Sequence, residues 1–535
     1  MKKQLIFVSL FFATTLFAQK KKPDNWQTLD PKVDHVYGVG SEEAYKTLGT
    51  KTSKTVIVAV IDSGVDPAHE DLKNVIWTNP GEIPDNGIDD DKNGYIDDVH
   101  GWSFLGGKNG DIGDEATELA RLVHKGDKKY ANADESKMTD PEKKDYNAYK
   151  KMKAVFVEEQ MQQERQLQSI DMVSDFLDKV KKQNNGILDK DAFKKYTPVN
   201  PMEKELTKNI KLAFTFGLKA EELENQLAEG KKQIGGMVNY NKMNADSIRE
   251  YIVGDNINDP TERFYGNNHY QGPDALHGTH VSGIIAAMRD NNLGIKGIAN
   301  NVKIMIVRAV PNGDERDKDV ANAIRYAVDN GATVINMSFG KYYSPDKKLV
   351  DDAVKYAESK DVVLVHAAGN ESKDNDVELS YPNRELLSGE IASNWIQVGA
   401  SAYKKGANII GDFSNYGLKK VDLFAPGVDI FSTIPDNKYV SESGTSMASP
   451  STAGVVAVIR SYFPELKAPE VRALLMKTVV PMSGKVNVPG LRKPRMLRKH
   501  KTKAVKKKVS EISISGGFVN LNNAVKEEMG LNKKK

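Results

Sequence analysis

The chain has 535 residues, with 76 Lys and Arg against 73 Asp and Glu, so its formal net charge is only +3. With this balance, the overall charge does not indicate any class of partner. The length allows one large domain and additional material. The sequence contains no cysteine, so the fold must depend on its core or on bound ions instead of disulfides.

The N-terminus has the pattern of an export signal. Two lysines precede an apolar run from Leu5 to Phe17. About thirteen residues are too few to span a bilayer, so the run predicts a signal peptide over residues 1–18, cleaved after Ala18. A retained membrane anchor is the alternative. We therefore expect export to the periplasm or the extracellular space without a stable membrane span, and a short N-terminal extension over residues 19–53.

Strand and helix patterns alternate in residues 54–112 and 256–524. Apolar runs of strand length occur at 55–61, 303–310, 333–337, 362–366 and 395–398, and helical patterns at 278–288, 318–330, 346–359, 447–462 and 469–477. Apolar strands that alternate with helices indicate a parallel sheet covered on both faces. The predicted fold class is therefore α/β, with a doubly wound, mostly parallel sheet and a large helical insertion.

Three short segments contain the residue types that activate a serine. They are Val-Ile-Asp-Ser-Gly around Asp62, His-Gly-Thr-His from His277 and Gly-Thr-Ser-Met-Ala around Ser446. A serine hydroxyl needs a base, and the base needs a carboxylate that fixes its tautomer. The chain order Asp, His, Ser differs from that of nucleophile-elbow hydrolases and of the chymotrypsin group. Spacing alone does not decide between His277 and His280 as the base.

With these segments the chain resembles the subtilisin-like serine proteases (subtilases), and further motifs follow in the family's order. Ala-Ala-Gly-Asn ending at Asn370 resembles the oxyanion-hole segment of the family. Val-Ile-Asn-Met-Ser-Phe-Gly ending at Gly340 resembles its substrate-binding strand, and Ala-Pro-Gly at 425–427 is another landmark. The resemblance covers about residues 54–104 and 260–482 and implies a subtilisin-like catalytic domain.

The resemblance implies an exported endopeptidase that works through an acyl-enzyme and needs no cofactor for catalysis. Ser446 would be the nucleophile, His277 the base, Asp62 the residue that orients the base, and Asn370 the side-chain donor to the oxyanion. The expected partners are protein or peptide substrates, with no nucleic acid, and the expected state is a monomer. The alternative is a catalytically silent subtilase fold that acts as a binding module.

The resemblance also implies the walls of the primary specificity pocket. One wall would consist of Ser338, Phe339 and Gly340, and the other of Ala367, Ala368 and Gly369. Phe339 is larger than the residue expected there. Its ring either narrows the pocket or packs into the core.

An acidic segment follows the spacing of a calcium loop. Carboxylate, amide and carbonyl oxygens at alternate positions can surround a hard cation, and the predicted ligands are Asp89, Asp91, Asn93, Tyr95 through its carbonyl, and Asp97. His100 occupies the position of the usual bidentate acid, and an acid-rich turn is the alternative. The family resemblance implies a second site at Asp71 and Asn291. We therefore expect Ca²⁺ as a structural ion.

The interval between Asp62 and His277 is much longer than the family's usual one. Residues 113–255 are predicted to form a charged helical insertion. This insertion is either a surface decoration without a role in catalysis, or a lid or exosite that limits which substrates enter. Within it, apolar residues at helical spacing predict one buried face, formed by Val155, Leu167, Ile170, Val173, Phe176, Leu177 and Val180.

Three remaining segments are defined by length or charge. Residues 19–53 are short for an independently folded pro-segment, so we expect the family's usual one to be lacking. Residues 485–508 are strongly basic and are predicted to form a solvated loop inside the domain. Attachment to an anionic cell surface and autolysis are the alternatives for this loop. Residues 525–535 are predicted to form a C-terminal tail.

Overall fold

The computed structural model describes residues 22–215, 218–494 and 502–531. The predicted signal peptide lies outside these residues, as do residues 495–501 of the predicted basic loop and the last four residues of the tail. Among the described residues, no helix is both long enough and apolar enough to cross a membrane.

The described chain packs as two compact units. The smaller unit contains residues 114–245, and the larger one contains the remaining described residues. The predicted insertion extends ten residues further, to Asp255. Residues 246–255 belong to the larger unit, where the buried guanidinium of Arg249 lies 2.8 Å from Asp255 and 2.7 Å from Asp319.

Every strand that the structure describes belongs to the larger unit. In chain order they are β1 Val56–Asp62, β2 Gly101–Ser103, β3 Gly106–Gly107, β4 Gly110–Asp111, β5 Val302–Arg308, β6 Val334–Met337, β7 Val363–Ala367, β8 Trp395–Ser401, β9 Leu423–Pro426, β10 Ile430–Ile434, β11 Lys438–Glu442, β12 Val480–Pro481, β13 Val486–Pro494, β14 Thr502–Lys507 and β15 Gly517–Phe518. Within the described residues, nine of them form one sheet in the order β12-β15-β9-β8-β7-β6-β1-β5-β2. Neighbouring strands are parallel except for β12 and β15.

The helices of both units are, in chain order, α1 Ser41–Leu48, α2 Glu118–Lys129, α3 Asp140–Gln183, α4 Lys190–Lys195, α5 Pro201–Thr215, α6 Ala220–Tyr240, α7 Ala245–Ile252, α8 Leu276–Ala286, α9 Asp317–Asp329, α10 Lys347–Ser359, α11 Thr445–Tyr462, α12 Ala468–Thr478 and α13 Leu521–Glu528. Helices α8 and α11 contribute to one hydrophobic core and α9 and α10 to another. Strand β1 contributes side chains to both cores, Val58 and Val60 to the first and Ala59 and Ile61 to the second. Because successive strand residues point to opposite faces, a strand buried on both faces has the continuous apolar sequence observed. The predicted α/β class is confirmed.

The N-terminal segment is part of the larger unit's core. The side chain of Trp26 is 1% exposed and packs in the core that contains α8 and α11. The backbone N–H of Leu521 donates to the carbonyl of Val39 at 2.7 Å. Residues 26–48 therefore pack with the body of the larger unit and do not form a separate segment.

The smaller unit is a group of helices with its own core. This core contains Val173, Phe176, Leu177, Val180, Leu188, Ala192, Phe193, Tyr196, Ile210, Leu223 and Leu227. The placement of Val155 on the buried face was wrong, because its side chain is 41% exposed. At this turn of α3, Phe156 instead packs against Ala116, Ala120 and Ala245. The 44-residue helix thus buries different faces at different points along its length.

The basic segment forms a two-stranded antiparallel ribbon in its described part. Strands β13 and β14 pair with Val486 opposite Lys507, which differs from the predicted loop. Val486 and Val488 are fully buried in a small core with Val509 and Phe518. Val486 and Val488 alternate with Asn487, so both valines point to the same face of the ribbon and that face is buried. The loop was predicted from the net charge of the segment alone and not from this alternation.

Candidate active site

Asp62 and His277 form a hydrogen-bonded pair. β1 ends at Asp62, and His277 is the second residue of α8. The Nδ1 atom of His277 lies 2.7 Å from Oδ1 of Asp62, which also accepts a bond from the backbone N–H of Ser63 at 2.8 Å. A carboxylate can only accept at neutral pH, so the imidazole carries its proton on Nδ1. Its Nε2 atom is then the basic nitrogen.

The electrostatics of this pair suit a base. The carboxyl of Asp62 is 2% exposed, and the imidazole of His277 is 38% exposed. Desolvation lowers the pKa of His277, but the charge and hydrogen bond of Asp62 outweigh it, so the pKa lies above 6.5. The buried carboxylate therefore stabilises the imidazolium that forms when His277 accepts a proton.

Ser446 lies at the start of α11, next to the end of β6. Its hydroxyl donates to the carbonyl of Ser338 at 3.2 Å, and the Ser338 hydroxyl donates to the Ser446 carbonyl at 2.9 Å. The Ser446 hydroxyl must leave this acceptor before it can donate to His277. Catalytic hydrogen bonds of this kind often form only when substrate is bound.

Asn370 follows β7 and is oriented by Thr445. Its side-chain oxygen accepts bonds from the backbone N–H of Thr445 at 2.8 Å and from the Thr445 hydroxyl at 3.0 Å. Because a backbone N–H can only donate, the atom that faces Thr445 must be the amide oxygen. The NH₂ group of Asn370 therefore points away from Thr445, as an oxyanion donor requires.

The predicted pocket residues line one cavity of about 190 Å³ together with Ser446 and Asn370. The lining consists of Ser338, Phe339, Gly340, Lys341, Tyr342, His366, Ala367, Ala368, Gly369, Asn370, Glu371, Ser380, Thr445 and Ser446. Phe339 is 9% exposed and belongs to the core beneath β6. Most of its ring packs into the core, and only its remaining surface faces the cavity.

His280 lies in the core and bonds to backbone carbonyls. The side chain is fully buried, and its Nε2 lies 3.1 Å from the carbonyl of Ile430 and 3.2 Å from that of Val440. Burial lowers the pKa of His280 to about 3, so the ring stays neutral and bonds to the β10–β11 hairpin. Of the two histidines, only His277 faces Asp62.

The acidic segment brings together a different set of carboxylates from the one that spacing predicted. Oxygens of Asp91, Asp98 and Glu82 lie within 4.8 Å of one another. The side-chain nitrogen of Asn79 donates to Asp91 at 2.9 Å and to Asp98 at 2.8 Å. Burial raises the pKa of Asp98 to about 6. Three hard oxygen donors in a half-buried cluster suit a divalent cation.

Other predicted members of the loop do not join this cluster. The carboxylate of Asp89 accepts backbone bonds from Asn93 and Gly94 at 3.0 and 2.8 Å. Asp97 accepts backbone bonds from residues 86 and 87 at 3.2 and 2.8 Å. The side chain of Asn93 donates to both Asp91 and Asp98, and Tyr95 is buried. Glu82 was missed because it precedes the loop by seven residues and belongs to no spacing motif.

The second predicted calcium pair is adjacent in the structure. The side-chain nitrogen of Asn291 donates to Asp71 at 2.6 Å, and the backbone N–H of Ile295 lies 3.4 Å from the other carboxylate oxygen. Burial raises the pKa of Asp71. Arg289 lies two positions before Asn291 in the chain, and its guanidinium lies 2.5 Å from Glu42, so this cation is paired with Glu42 and not with Asp71.

A carboxylate–imidazole pair, together with a serine at a helix start and a separate amide donor, is characteristic of the serine-hydrolase class, here on a parallel α/β sheet. The model of the subtilase family matches residues 53–512. This match includes most of the chain, so the chain belongs to the subtilase family, as the motifs predicted.

Individual relatives match a shorter part of the chain. A thermophilic serine proteinase from Bacillus sp. (strain AK1) is 43% identical over 217 residues, which are 40% of this chain and 47% of that protein. The major intracellular serine protease of Bacillus subtilis (strain 168) is 39% identical over 215 residues, which are 38% of this chain and 63% of that protein. The crystal structure of a cold adapted subtilisin-like serine proteinase is 32% identical with a TM-score of 0.32, covering 38% of this chain and 68% of that chain.

Proposed function

We propose that the protein is an exported serine endopeptidase that hydrolyses peptide bonds of protein or peptide substrates. The 2.7 Å contact between His277 and Asp62 supports this proposal most directly, because it gives the imidazole the tautomer of a general base. Ser446 and Asn370 line one cavity, as a nucleophile and an oxyanion donor must. The relatives described above are serine proteases by name. Export is supported by the sequence of residues 1–18.

The residues have distinct roles in the proposed reaction. Ser446 attacks the scissile carbonyl carbon while His277 takes the hydroxyl proton, and Asp62 stabilises the imidazolium. The side chain of Asn370 and the backbone N–H of Ser446 donate to the oxyanion. His277 then protonates the leaving amine, which gives an acyl-enzyme. Water activated by the same imidazole releases the acid product and restores Ser446.

A fluorophosphonate probe tests the proposal, because it reacts covalently only with an activated serine. We expect the folded wild-type protein to be labelled and Ser446→Ala to remain unlabelled. Ser449→Ala is a matched control, since Ser449 lies in the same helix but is fully buried. It should be labelled like the wild type. A folded wild-type sample that resists labelling would favour the silent binding module.

We further propose Ca²⁺ as a structural ion. Glu82, Asp91 and Asp98 would hold it, and its charge would offset the repulsion among three clustered carboxylates. Asp71 and Asn291 would hold a second ion. The support is the set of oxygen donors within 4.8 Å and the 2.6 Å contact between Asp71 and Asn291.

Chelation should lower the melting temperature. Calcium at about 100 times its Kd would stabilise the native state by about 2.7 kcal/mol relative to the chelated protein. Calorimetry with and without chelator measures this in the Ser446→Ala background, which prevents self-digestion. Asp98→Asn should reduce the response, whereas Asp90→Asn should not, because Asp90 binds Ile83 and Asn86 instead. Asp71→Asn tests the second site. An unchanged melting curve in excess chelator would contradict both sites.

A further inference from the structure

The turn that carries Asn370 is held from inside the molecule by Asn415. Asn415 lies in the connection between β8 and β9 and is fully buried. Its backbone N–H donates to the carbonyl of Gly369 at 2.9 Å. The residue immediately before Asn370 is therefore bound directly to Asn415.

The side chain of Asn415 binds the same turn on both sides of Asn370. Its nitrogen donates to the carbonyl of Ala368 at 3.1 Å and to the carboxylate of Glu371 at 2.9 Å. Its oxygen accepts from the backbone N–H of Glu371 at 3.0 Å and of Lys373 at 2.8 Å. These four bonds use the full capacity of a primary amide, which is two donors and two acceptor positions.

The packing of Asn415 also accounts for the glycine at 369. Gly369 has φ +105°, and a Cβ there would lie 2.3 Å from the side-chain nitrogen of Asn415. Only glycine combines this backbone angle with so close an approach. Asn415 thus makes most of the side-chain bonds to the main chain around Asn370, with a further bond from the Asn375 side chain to the carbonyl of Ala368 at 2.9 Å. The Asn370 amide itself is oriented by Thr445.

We propose that Asn415 is a positioning residue for the oxyanion donor and acts on the reaction only through Asn370. This rests on the proposed protease function. Asn415 has no described contact with Asn370, Ser446 or His277, and its effect passes through the main chain at 368–373. A donor must lie within about 0.5 Å of its productive position, and a 1 Å displacement can lower the rate by about 100-fold. Loss of the four bonds would let the turn move by such distances.

A double-mutant cycle tests this role. Asn415→Ala should lower kcat by about 10- to 100-fold while KM changes less than about threefold, because the oxyanion forms only after substrate binds. Asn370→Ala alone should lower kcat by about 100- to 1000-fold, as is usual for loss of such a donor in this class of protease. In the Asn370→Ala background, Asn415→Ala should lower kcat less than about threefold further. A merely structural role would give equal losses in both backgrounds.

Asn394→Ala is the matched control. Asn394 is also fully buried and donates to the carbonyl of Val362, before the start of β7. The Asn394→Ala variant should be less stable than the wild type, but its kcat per folded molecule should not be selectively lowered. If Asn415→Ala does not fold, Asn415→Ser replaces it, because serine keeps a hydroxyl that can hydrogen-bond. Asn415→Ser should lower kcat by a smaller factor, and in the Asn370→Ala background it should cause no further loss. Rates are normalised to the fraction of sites labelled by the fluorophosphonate.

Two failures can be distinguished. Wild-type protein that neither reacts with the probe nor cleaves peptides contradicts the protease function itself. Active wild-type protein with an Asn415→Ala variant of unchanged kcat, or with equal losses in the two backgrounds, overturns the role of Asn415 alone.

Discussion

Replacing Asp62 by Asn is expected to lower kcat by about 10⁴-fold while the fold is retained. Oδ1 of Asp62 accepts bonds from His277 and from the backbone of Ser63. An asparagine can present its NH₂ group to Nδ1 of His277, which would place the imidazole proton on Nε2. That nitrogen could then no longer accept the proton of Ser446. Peptide hydrolysis per folded molecule measures the loss, and circular dichroism confirms the fold.

The pH profile provides a second readout of the same substitution. In the wild type the imidazole must be neutral to act as a base, and its pKa is raised above 6.5 by Asp62. Activity should therefore fall as the pH decreases through that raised pKa. Without the carboxylate, the midpoint of any residual activity should move to lower pH.

Asp66→Asn is the matched control for Asp62→Asn. Asp66 is also a buried acid near the end of β1, but its carboxylate accepts backbone bonds from Ala68 and Asp436. The Asp66→Asn variant should leave the midpoint of the pH profile unchanged and should change kcat only slightly. Equal losses of kcat in the two variants would contradict a specific role of Asp62.

Replacing Trp26 by Ala is expected to lower the free energy of unfolding by about 3–5 kcal/mol, the range for removal of a large buried aromatic side chain. The ring is 1% exposed, and its indole N–H donates to the carbonyl of Asp429 at 3.2 Å. Its centroid lies 6.0 Å from that of Tyr403. The substitution would leave a cavity in the core and would remove one of the two hydrogen bonds to the carbonyl of Asp429, which also accepts from Lys22 at 2.8 Å.

Denaturant titration in the Ser446→Ala background measures this effect without self-digestion. Tyr251→Ala is the matched control, because Tyr251 is 69% exposed and its loss should change stability by less than about 0.5 kcal/mol. If Trp26→Ala were equally mild, residues 26–48 would be dispensable, as a removable pro-segment is. A large loss would show that the larger unit depends on Trp26 for its stability.

The candidate site was largely predictable because its chemistry lies in short contiguous motifs. Asp62, His277, Ser446 and Asn370 each stand at a strand end or a helix start, and a parallel sheet gathers such positions at one edge. Asn415 was not predicted, although it lies in the catalytic domain. Its role depends on four bonds to residues more than 40 positions earlier, and no local pattern reports such contacts.

The amino-acid sequence by itself determined the α/β class, the subtilase family and the residue types of the active site, because periodicity and short motifs are local properties. Only the tertiary structure decided that His280 bonds to the β10–β11 hairpin, that Glu82 joins Asp91 and Asp98 in the acidic cluster, and that Trp26 is a core residue. Each of these depends on which distant side chains converge and which are desolvated. Hydrogen bonds and burial are therefore determined by the fold as a whole and cannot be derived from sequence spacing.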